Sequence, residues 1–397
     1  MKTRTLHLIS MHTSPLSQPG NGDAGGMNVY IANLVKAMLA TDENLHIEVF
    51  TLSTEFGALY ERTDLSKRCS VHTLAFERAE GAVKEDLPQL IPEFVEHMRR
   101  YAVNTPDIVH SHYWLSGLAA LQYAPEGVPI VHTMHTTGAV KNDKAGAGEP
   151  LEPQQRIDGE RRIVDACDAL VVNTMHELEQ MVRFYSAEAS KLHIIRPGVD
   201  TEIFYPAVKT NFSDAAGEIL FAGRPQPLKG PHILVEALAL LPRELNVSLT
   251  MVGTSANDYE HRLVARAKAL GVGNKVRIVP ALPAPELARA MQQADIVACP
   301  SSSETFGLVA LEAQATGTAV IATRVDGLQD AVADAESGLL VDSREPSAWA
   351  AALEYLIRNP DIRQKLGRAG AQRAQMMDWA SAASTTLELY SSLTKEK

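Results

Sequence analysis

Residues 5–10 read TLHLIS and residues 20–38 read GNGDAGGMNVYIANLVKAM. The first stretch is a short apolar run, which predicts a β-strand, and the second places glycines ahead of a helical pattern. That pattern puts its apolar residues on one helix face: Met27, Tyr30, Ile31, Leu34, Val35 and Met38. A strand, a glycine-rich turn and an amphipathic helix, in that order, predict the start of an α/β domain with a parallel sheet.

The alternation of short apolar runs with helical patterns continues along the whole chain. In the first half, the predicted strands are residues 5–10, 46–51, 107–111, 129–133, 169–173 and 192–195. In the second half, they are residues 218–222, 248–252, 276–279, 295–300 and 319–323. The pattern predicts two Rossmann-like domains that face each other across a cleft, with ligands beyond the carboxyl ends of the strands.

The expected boundaries follow from where the periodic patterns stop. We predict an N-terminal Rossmann-like domain over residues 1–205 and a C-terminal Rossmann-like domain over residues 206–375. The stretch Phe204–Ala215 has neither period and is the predicted joint. Residues 376–397 are predicted to form a helix that packs back on the first domain, because Leu387, Tyr390 and nearby apolar residues have helical spacing.

Composition excludes several classes of partner. The net charge of -11 and the pI of about 5.7 leave no excess of Lys and Arg for a nucleic-acid backbone or an anionic membrane. The three cysteines, Cys69, Cys167 and Cys299, are far apart and predict no disulfide framework. No export signal and no apolar run of roughly 18 residues is visible, so we expect a cytoplasmic protein without a membrane span.

The glycine-rich turn and two later cations predict an anion site. Glycines let the backbone approach an anion, and the helix N-terminus supplies free N–H groups. Arg224 and Lys229 follow the first strand of the second series, where they could stabilise a leaving diphosphate. The plainer alternatives are a tight turn that binds nothing and a pair of solvated surface charges.

Two carboxylates and two histidine motifs stand at other predicted strand ends. Glu304 and Glu312 lie within PSSSETFGLVALE, residues 300–312, and could accept sugar and ribose hydroxyls. The segments HSHYW, residues 110–114, and HTMHT, residues 132–136, have spacings that also occur in zinc sites. Zinc would require a nearby carboxylate or thiolate set, and no D-x-D motif occurs, so we predict no metal.

Together these motifs resemble glycosyltransferase family 4, which has the GT-B fold. The resemblance rests on the E-x7-E pair of Glu304 and Glu312, on G-R-x-x-x-x-K-G at residues 223–230 and on R-P-G-V-D-x-x-x-F at residues 196–204. Residues 11–16, MHTSPL, residues 18–30, QPGNGDAGGMNVY, and residues 132–136, HTMHT, are similar to the inositol-phosphate glycosyltransferases of mycothiol biosynthesis. The resemblance implies a retaining transfer of N-acetylglucosamine from UDP-N-acetylglucosamine to 1D-myo-inositol 3-phosphate, with no other cofactor.

The resemblance also implies roles for individual residues. The catalytic residues would be His135, Arg224, Lys229 and Glu304, with His135 beside the transferred sugar. The donor would be bound by Gln18, Pro19, Gly26, Arg224, Lys229, Glu304 and Glu312. The acceptor would be bound by His12, Asp23, Asn28, Lys84, Tyr113, Thr136 and Arg156, with Lys84 and Arg156 holding its phosphate.

Other functions remain open at this point. A family 4 enzyme with another nucleotide sugar or acceptor, a UDP-sugar epimerase of the same architecture and a non-catalytic sugar-nucleotide sensor all fit the two-domain pattern. An epimerase would show further acid and base carboxylates in place of an acceptor pocket, and a sensor could lack His135 or Glu304. The sequence does not fix the oligomeric state, and a homodimer is compatible with it.

Overall fold

The computed structural model describes residues 4–20, 24–145, 151–207, 216–254 and 259–395. The chain forms two compact units. The first consists of Met1–Ser17, Met27–Arg196 and Ala380–Lys397, and the second consists of Gln18–Gly26 and Pro197–Trp379. Each unit is an α/β structure built on one mainly parallel sheet, which confirms the predicted fold class.

The first unit contains an eight-stranded sheet in the order β3-β4-β2-β1-β5-β6-β7-β8, in which only β3 is antiparallel to its neighbour. Its elements in chain order are β1 (Arg4–Ile9), α1 (Gly26–Thr41), β2 (Leu45–Leu52), β3 (Glu61–Ser66), β4 (Cys69–Leu74), α2 (Leu87–Tyr101), β5 (Ile108–His112), α3 (Trp114–Tyr123), β6 (Ile130–Thr133), α4 (Gly138–Asp143), α5 (Gln154–Ala166), β7 (Ala169–Val172), α6 (Met175–Tyr185) and β8 (Leu192–Ile194).

The second unit contains a six-stranded parallel sheet in the order β11-β10-β9-β12-β13-β14. Its elements are β9 (Ala216–Ala222), α7 (Pro231–Leu240), β10 (Asn246–Val252), α8 (Tyr259–Ala269), β11 (Val276–Val279), α9 (Ala284–Gln293), β12 (Ile296–Cys299), α10 (Leu308–Ala315), β13 (Ala319–Thr323), α11 (Leu328–Ala331), β14 (Leu339–Val341), α12 (Pro346–Arg358) and α13 (Pro360–Ala374). The last helix of the chain, α14, spans Trp379–Lys395.

Both faces of the second sheet are buried, as a parallel sheet requires. Ile219 and Phe221 of β9 belong to one apolar cluster with helices α7 and α12, whereas Leu220 between them belongs to a second cluster with α9 and α10. The near-continuous apolar runs in the sequence are the direct consequence of this two-sided burial. All eleven strands predicted from such runs are present.

Three strands were not predicted: β3, β4 and β14. The sequence of β3 is ERTDLS, and most of its residues are exposed at the edge of the sheet, so no apolar run marks it. Polar edge strands of this kind protect a sheet against pairing with another chain. Strand β14 is only three residues long, too short for a periodic signal.

Apart from the short segment Gln18–Gly26, the chain passes from the first unit to the second at Arg196–Pro197 and returns at Trp379–Ala380. The predicted joint lies a little later, at Phe204–Ala215, and residues 208–215 of it lie outside the described residues. Phe204 itself is buried in the second unit's core. The two crossing segments are tied together within the second unit, because the Val199 N–H donates to the Met377 carbonyl at 2.9 Å.

Helix α14 belongs to the first unit from Ala380 onward. Its Tyr390 is buried, and the Tyr390 hydroxyl lies 2.6 Å from Nδ1 of His110 on β5. Arg4 of β1 donates to the Ser391 hydroxyl at 2.7 Å. In the described part of the chain, no helix is long and apolar enough to cross a membrane.

A close approach of two backbones in the second unit requires glycine at position 230. Gly230 has φ +71°, and a Cβ atom there would lie 2.3 Å from the Pro300 carbonyl oxygen. Gly271 has a similar φ of +74°, but a Cβ there would meet no atom within 4 Å. An alanine at position 271 therefore meets backbone strain alone, whereas an alanine at position 230 meets the same strain and a steric clash.

We predict that Gly271→Ala lowers the free energy of unfolding by about 1–2 kcal/mol, the cost of a left-handed alanine. Gly230→Ala should cost about 1–3 kcal/mol more, because the Pro300 loop must also move. Urea unfolding of both variants measures the difference. Equal losses of unfolding free energy in the two variants would show that the contact with the Pro300 carbonyl does not constrain position 230.

Candidate active site

The centre of the site in the first unit is Tyr113, which follows β5 and precedes α3. Its backbone is strained, with φ +72° and ψ 152°, a conformation that non-glycine residues rarely adopt. The ring is buried and is contacted by three predicted site residues. The His12 ring centroid lies 4.2 Å away, Arg156 Cζ lies 5.0 Å away and Lys84 Nζ lies 5.6 Å away. Four predicted acceptor residues from distant parts of the sequence thus meet.

Arg156 on α5 is almost completely buried, with 1% of its surface exposed. Its Nε donates to Glu160 Oε1 at 2.8 Å, and its Nη2 donates to the carbonyl and hydroxyl oxygens of Thr136 at 2.9 and 3.0 Å. Its Nη1 lies 2.9 Å from Glu152 Oε2 but makes no aligned hydrogen bond to any described residue. The guanidinium is therefore fixed in place by Glu160, Thr136 and the charge of Glu152.

The Glu160 carboxylate fixes the position of the Arg156 guanidinium. It is fully buried and accepts a hydrogen bond from the Gly138 N–H at 2.9 Å and another from the Tyr185 hydroxyl. A buried charge needs a partner and hydrogen bonds on its remaining lone pairs, and Glu160 has both. The Arg156–Glu160 pair thereby joins α5 to the start of α4 and to α6.

Sequence reasoning missed Glu152, Glu160 and Lys141. Lys141 Nζ lies 2.7 Å from Glu152 Oε1, and burial, followed by the Arg156 charge, lowers the pKa of Lys141 from its ordinary value. A signal was present in the sequence, since Glu152 and Glu160 stand four residues before and after Arg156. Carboxylates at that spacing pair with Arg along a helix.

Asn28, another predicted acceptor residue, is buried on α1. Its side-chain amide donates to the Thr13 hydroxyl at 2.9 Å and to the Ser14 carbonyl at 2.6 Å. It therefore fixes the turn that carries His12 and follows β1. Asp23 lies outside the described residues.

His135 is held by a second histidine. It has φ +59°, and its Nε2 lies 2.9 Å from Nδ1 of His112, which is fully buried. Burial, with nearby histidines, lowers the pKa of His135 to about 3, and burial lowers the pKa of His112 well below its ordinary value. Both imidazoles are therefore neutral at physiological pH, and one donates the shared proton to the other.

The remaining histidines of the two motifs pair with hydroxyl groups. His110 Nε2 lies 2.9 Å from the Thr133 hydroxyl, and His132 Nδ1 lies 2.8 Å from the Ser111 hydroxyl. Over the described ranges, no group of three or more His, Cys, Asp or Glu side chains is arranged to hold a metal ion. The histidine motifs form a buried polar network between β5 and β6.

In the second unit, the structure brings the glycine-rich turn next to Arg224. The site that a Gly25 Cβ would occupy lies 3.7 Å from Arg224 Nη2, and that of Gly26 lies 3.8 Å from Leu308 Cδ1. Gln18 donates to the Leu282 carbonyl at 3.1 Å, and Pro19 beside it is half-buried. The turn therefore packs on the same unit that carries the predicted donor cations.

Lys229 and Glu304 form an ion pair. Lys229 Nζ lies 2.6 Å from Glu304 Oε1, and the Ser301 hydroxyl donates to the same oxygen at 2.9 Å. Both residues lie on loops that follow parallel strands, β9 and β12, whose carboxyl ends share one edge of the sheet. The predicted cation and the predicted sugar-binding carboxylate therefore meet.

Comparison with known proteins assigns the chain to a family. Residues 24–203 match the model for Glycosyltransferase Family 4, and residues 207–373 match the model for glycosyl transferases group 1. The chain is 42% identical to the D-inositol 3-phosphate glycosyltransferase of Arthrobacter sp. (strain FB24), over 98% of this chain and 94% of that protein. This chain belongs to glycosyltransferase family 4. It is a glycosyltransferase, as the sequence predicts.

Further relatives of this glycosyltransferase agree. The D-inositol 3-phosphate glycosyltransferase of Streptomyces avermitilis is 40% identical over 98% of this chain and 88% of its own length. Sucrose-phosphate synthase from Thermosynechococcus elongatus has a TM-score of 0.90 and 29% identity, covering 99% of this chain and 100% of that one. Anabaena HepE, solved with UDP-glucose, has a TM-score of 0.73 at 18% identity, covering 98% and 99%, and shows the shared GT-B fold.

The second carboxylate of the family 4 motif, Glu312, lies in a different environment from Glu304. Glu312 is half-buried on α10. Burial raises the pKa of Glu312 to about 8. Burial therefore favours the protonated form of this carboxyl group, whereas its deprotonated form can accept hydrogen bonds at both oxygens.

The raised pKa predicts a pH-dependent stability difference. The pKa of this group is about 4.3 in an unfolded chain, so the native state binds a proton that the unfolded state releases between that value and about 8. The stabilisation is complete below the lower value and is lost as pH rises through the upper one. Relative to that of Glu312→Gln, the free energy of unfolding of the parent protein should fall by on the order of 2 kcal/mol between pH 5 and 9.

Urea unfolding of the parent and Glu312→Gln across this pH range measures the effect. The matched control is Glu286→Gln, which removes an exposed carboxylate from α9. Its difference from the parent should stay constant over the range. A constant difference for Glu312→Gln as well would show that Glu312 does not retain its proton in the folded protein.

Proposed function

We propose that this glycosyltransferase moves N-acetylglucosamine from UDP-N-acetylglucosamine to a hydroxyl of 1D-myo-inositol 3-phosphate, with retention of the anomeric configuration. The observation that carries the acceptor assignment is the convergence of Lys84 and Arg156 on Tyr113. The names of the Arthrobacter and Streptomyces relatives support the same acceptor.

A phosphomonoester suits the first-unit site for physical reasons. Arg156 supplies a buried, preorganised guanidinium next to Tyr113, and Lys84 is an exposed, compact charge near the same ring. Charge-assisted hydrogen bonds to phosphate are roughly twice as strong as neutral ones. Thr136 is an exposed residue that already binds Arg156, and its hydroxyl adds a polar group beside the proposed phosphate.

In this proposal, residues of the second unit bind the nucleotide-sugar donor. Arg224 and Lys229 neutralise the diphosphate as the bond between the anomeric carbon and the UDP oxygen breaks. The Gly26 turn lets the backbone approach the diphosphate, with Gln18 and Pro19 beside it. Glu312 accepts hydrogen bonds from the two ribose hydroxyls. It does so as a carboxylate, the form that burial disfavours. Glu304, fixed by Lys229 and Ser301, accepts hydroxyls of the sugar.

His135 contributes as a neutral hydrogen-bonding group. Its pKa of about 3 excludes an imidazolium at neutral pH, so it neither repels the developing positive charge on the sugar nor acts as a strong acid. The hydrogen bond with His112 holds the ring in one orientation. In the proposed reaction, His135 orients the transferred sugar while the acceptor hydroxyl forms the new bond.

The proposal is tested by incubating the protein with several nucleotide sugars and with inositol phosphates or inositol, and measuring acceptor-dependent UDP release. We expect release with UDP-N-acetylglucosamine and inositol 3-phosphate, and an α-linked product by NMR. Release with inositol alone as efficient as with its phosphate would refute the acceptor assignment. Conversion of the UDP-sugar to an epimer without any acceptor would favour the isomerase alternative.

Lys84→Ala should raise the KM for the phosphorylated acceptor by about 10- to 100-fold, because one charge-assisted contact is lost. The KM for the donor and the slow hydrolysis of donor should be unchanged. Lys84 is exposed, so the variant should fold normally. Arg156→Lys keeps a buried positive charge for Glu160 but loses the planar guanidinium and its several N–H donors, and should show the same selective rise. An unchanged KM for the acceptor in both variants would contradict the proposed phosphate site.

A further inference from the structure

Lys141 on α4 lies in the same charged cluster as the proposed phosphate ligands, but no motif assigns it a role. One oxygen of Glu152 contacts Lys141 Nζ at 2.7 Å, and the other lies 2.9 Å from Arg156 Nη1. A single carboxylate therefore bridges the two cations. Because an ammonium group has three N–H donors, this contact leaves further donors on Lys141 for a ligand.

The bridge is fixed by the backbone as well as by charge. The Glu152 N–H donates to the side-chain oxygen of Asn142 at 2.7 Å, and the Asn142 amide donates back to the Glu152 carbonyl at 3.1 Å. These bonds join the end of α4 to the segment before α5. The position of Lys141 relative to Arg156 is thus set by the fold and does not depend on flexible surface side chains.

The cluster carries more positive than negative charge. Its cations are Lys84, Lys141 and Arg156, and its carboxylates are Glu152 and Glu160. Among the described residues of the cluster, three positive and two negative charges leave a net charge of one positive. After burial, the charges of Arg156 and then, more weakly, Lys84 lower the pKa of Lys141, which places both cations within electrostatic reach of it. An anionic ligand would relieve this repulsion.

We propose that Lys141 is a third cationic ligand of the acceptor's phosphate and that Glu152 positions it beside Arg156. This inference rests on the proposed function and extends it, because three cations around one group select a dianionic phosphomonoester over a monoanion. If Lys141 had only a structural role, an ion pair with Glu152 would be sufficient, and Arg156 would not need to share the same carboxylate.

Lys141→Gln should raise the KM for inositol 3-phosphate by about 10- to 100-fold, the effect of losing one charged hydrogen bond. Lys141→Arg should stay within about tenfold of the parent, since it keeps both the charge and the pairing with Glu152. The donor KM, donor hydrolysis and thermal midpoint of Lys141→Gln should match the parent. The matched control is Arg161→Gln, which removes an exposed cation from the same helix as Arg156 and should leave the acceptor KM unchanged.

The outcomes separate this inference from the proposed function. A rise in acceptor KM for both Lys141→Gln and Lys84→Ala, with recovery in Lys141→Arg, supports it. A rise for Lys84→Ala alone overturns the role of Lys141 and leaves the phosphate acceptor intact. If the parent enzyme uses no phosphorylated acceptor, the proposed function fails, and this inference fails with it. A Lys141→Gln variant with impaired donor hydrolysis and a lower thermal midpoint would identify Lys141 as structural and also overturn the inference.

Discussion

The buried ion pair of Arg156 and Glu160 is the interaction on which the first-unit site depends. Removing either partner would leave an uncompensated charge in the interior, which typically costs about 3–5 kcal/mol. Glu160 also accepts hydrogen bonds from the Gly138 N–H at the start of α4 and from the Tyr185 hydroxyl of α6. The same guanidinium lies over Tyr113, whose strained backbone turns its ring toward it. Stability and the proposed binding of the acceptor therefore depend on the same side chain, Arg156.

A different constraint shapes the second unit. Gly230 lets the loop after β9 approach the Pro300 carbonyl, and the neighbouring Lys229 then reaches Glu304 at 2.6 Å. Glu304 is further fixed by the Ser301 hydroxyl. Two loops that follow adjacent strands are thereby locked together, and the proposed diphosphate and sugar ligands are preorganised. In both units, the functional side chains are held by backbone features: positive φ angles at Tyr113 and His135 and close contact at Gly230.

The sequence predicts much of the fold because buried parallel strands must be apolar on both faces. It does not reveal β3, whose residues are polar and exposed at the sheet edge. Within the candidate site, a family resemblance is needed to link Lys84, Tyr113 and Arg156, since no local pattern connects residues so far apart. Lys141 and the pairing of His112 with His135 depend on which loops and strands become neighbours, and this emerges only from the three-dimensional structure. The raised pKa of Glu312 likewise arises from burial that helical spacing alone does not specify.

The central claim is that the first unit presents surplus positive charge to a phosphate group on the acceptor. This can be measured by following the ³¹P chemical shift of inositol 3-phosphate, saturated with protein, as a function of pH. Free phosphomonoesters lose their second proton at a pKa of about 6. Surplus positive charge stabilises the dianion, so the account predicts a clearly lower pKa for the bound phosphate. A bound pKa equal to or above that of the free acceptor would contradict it.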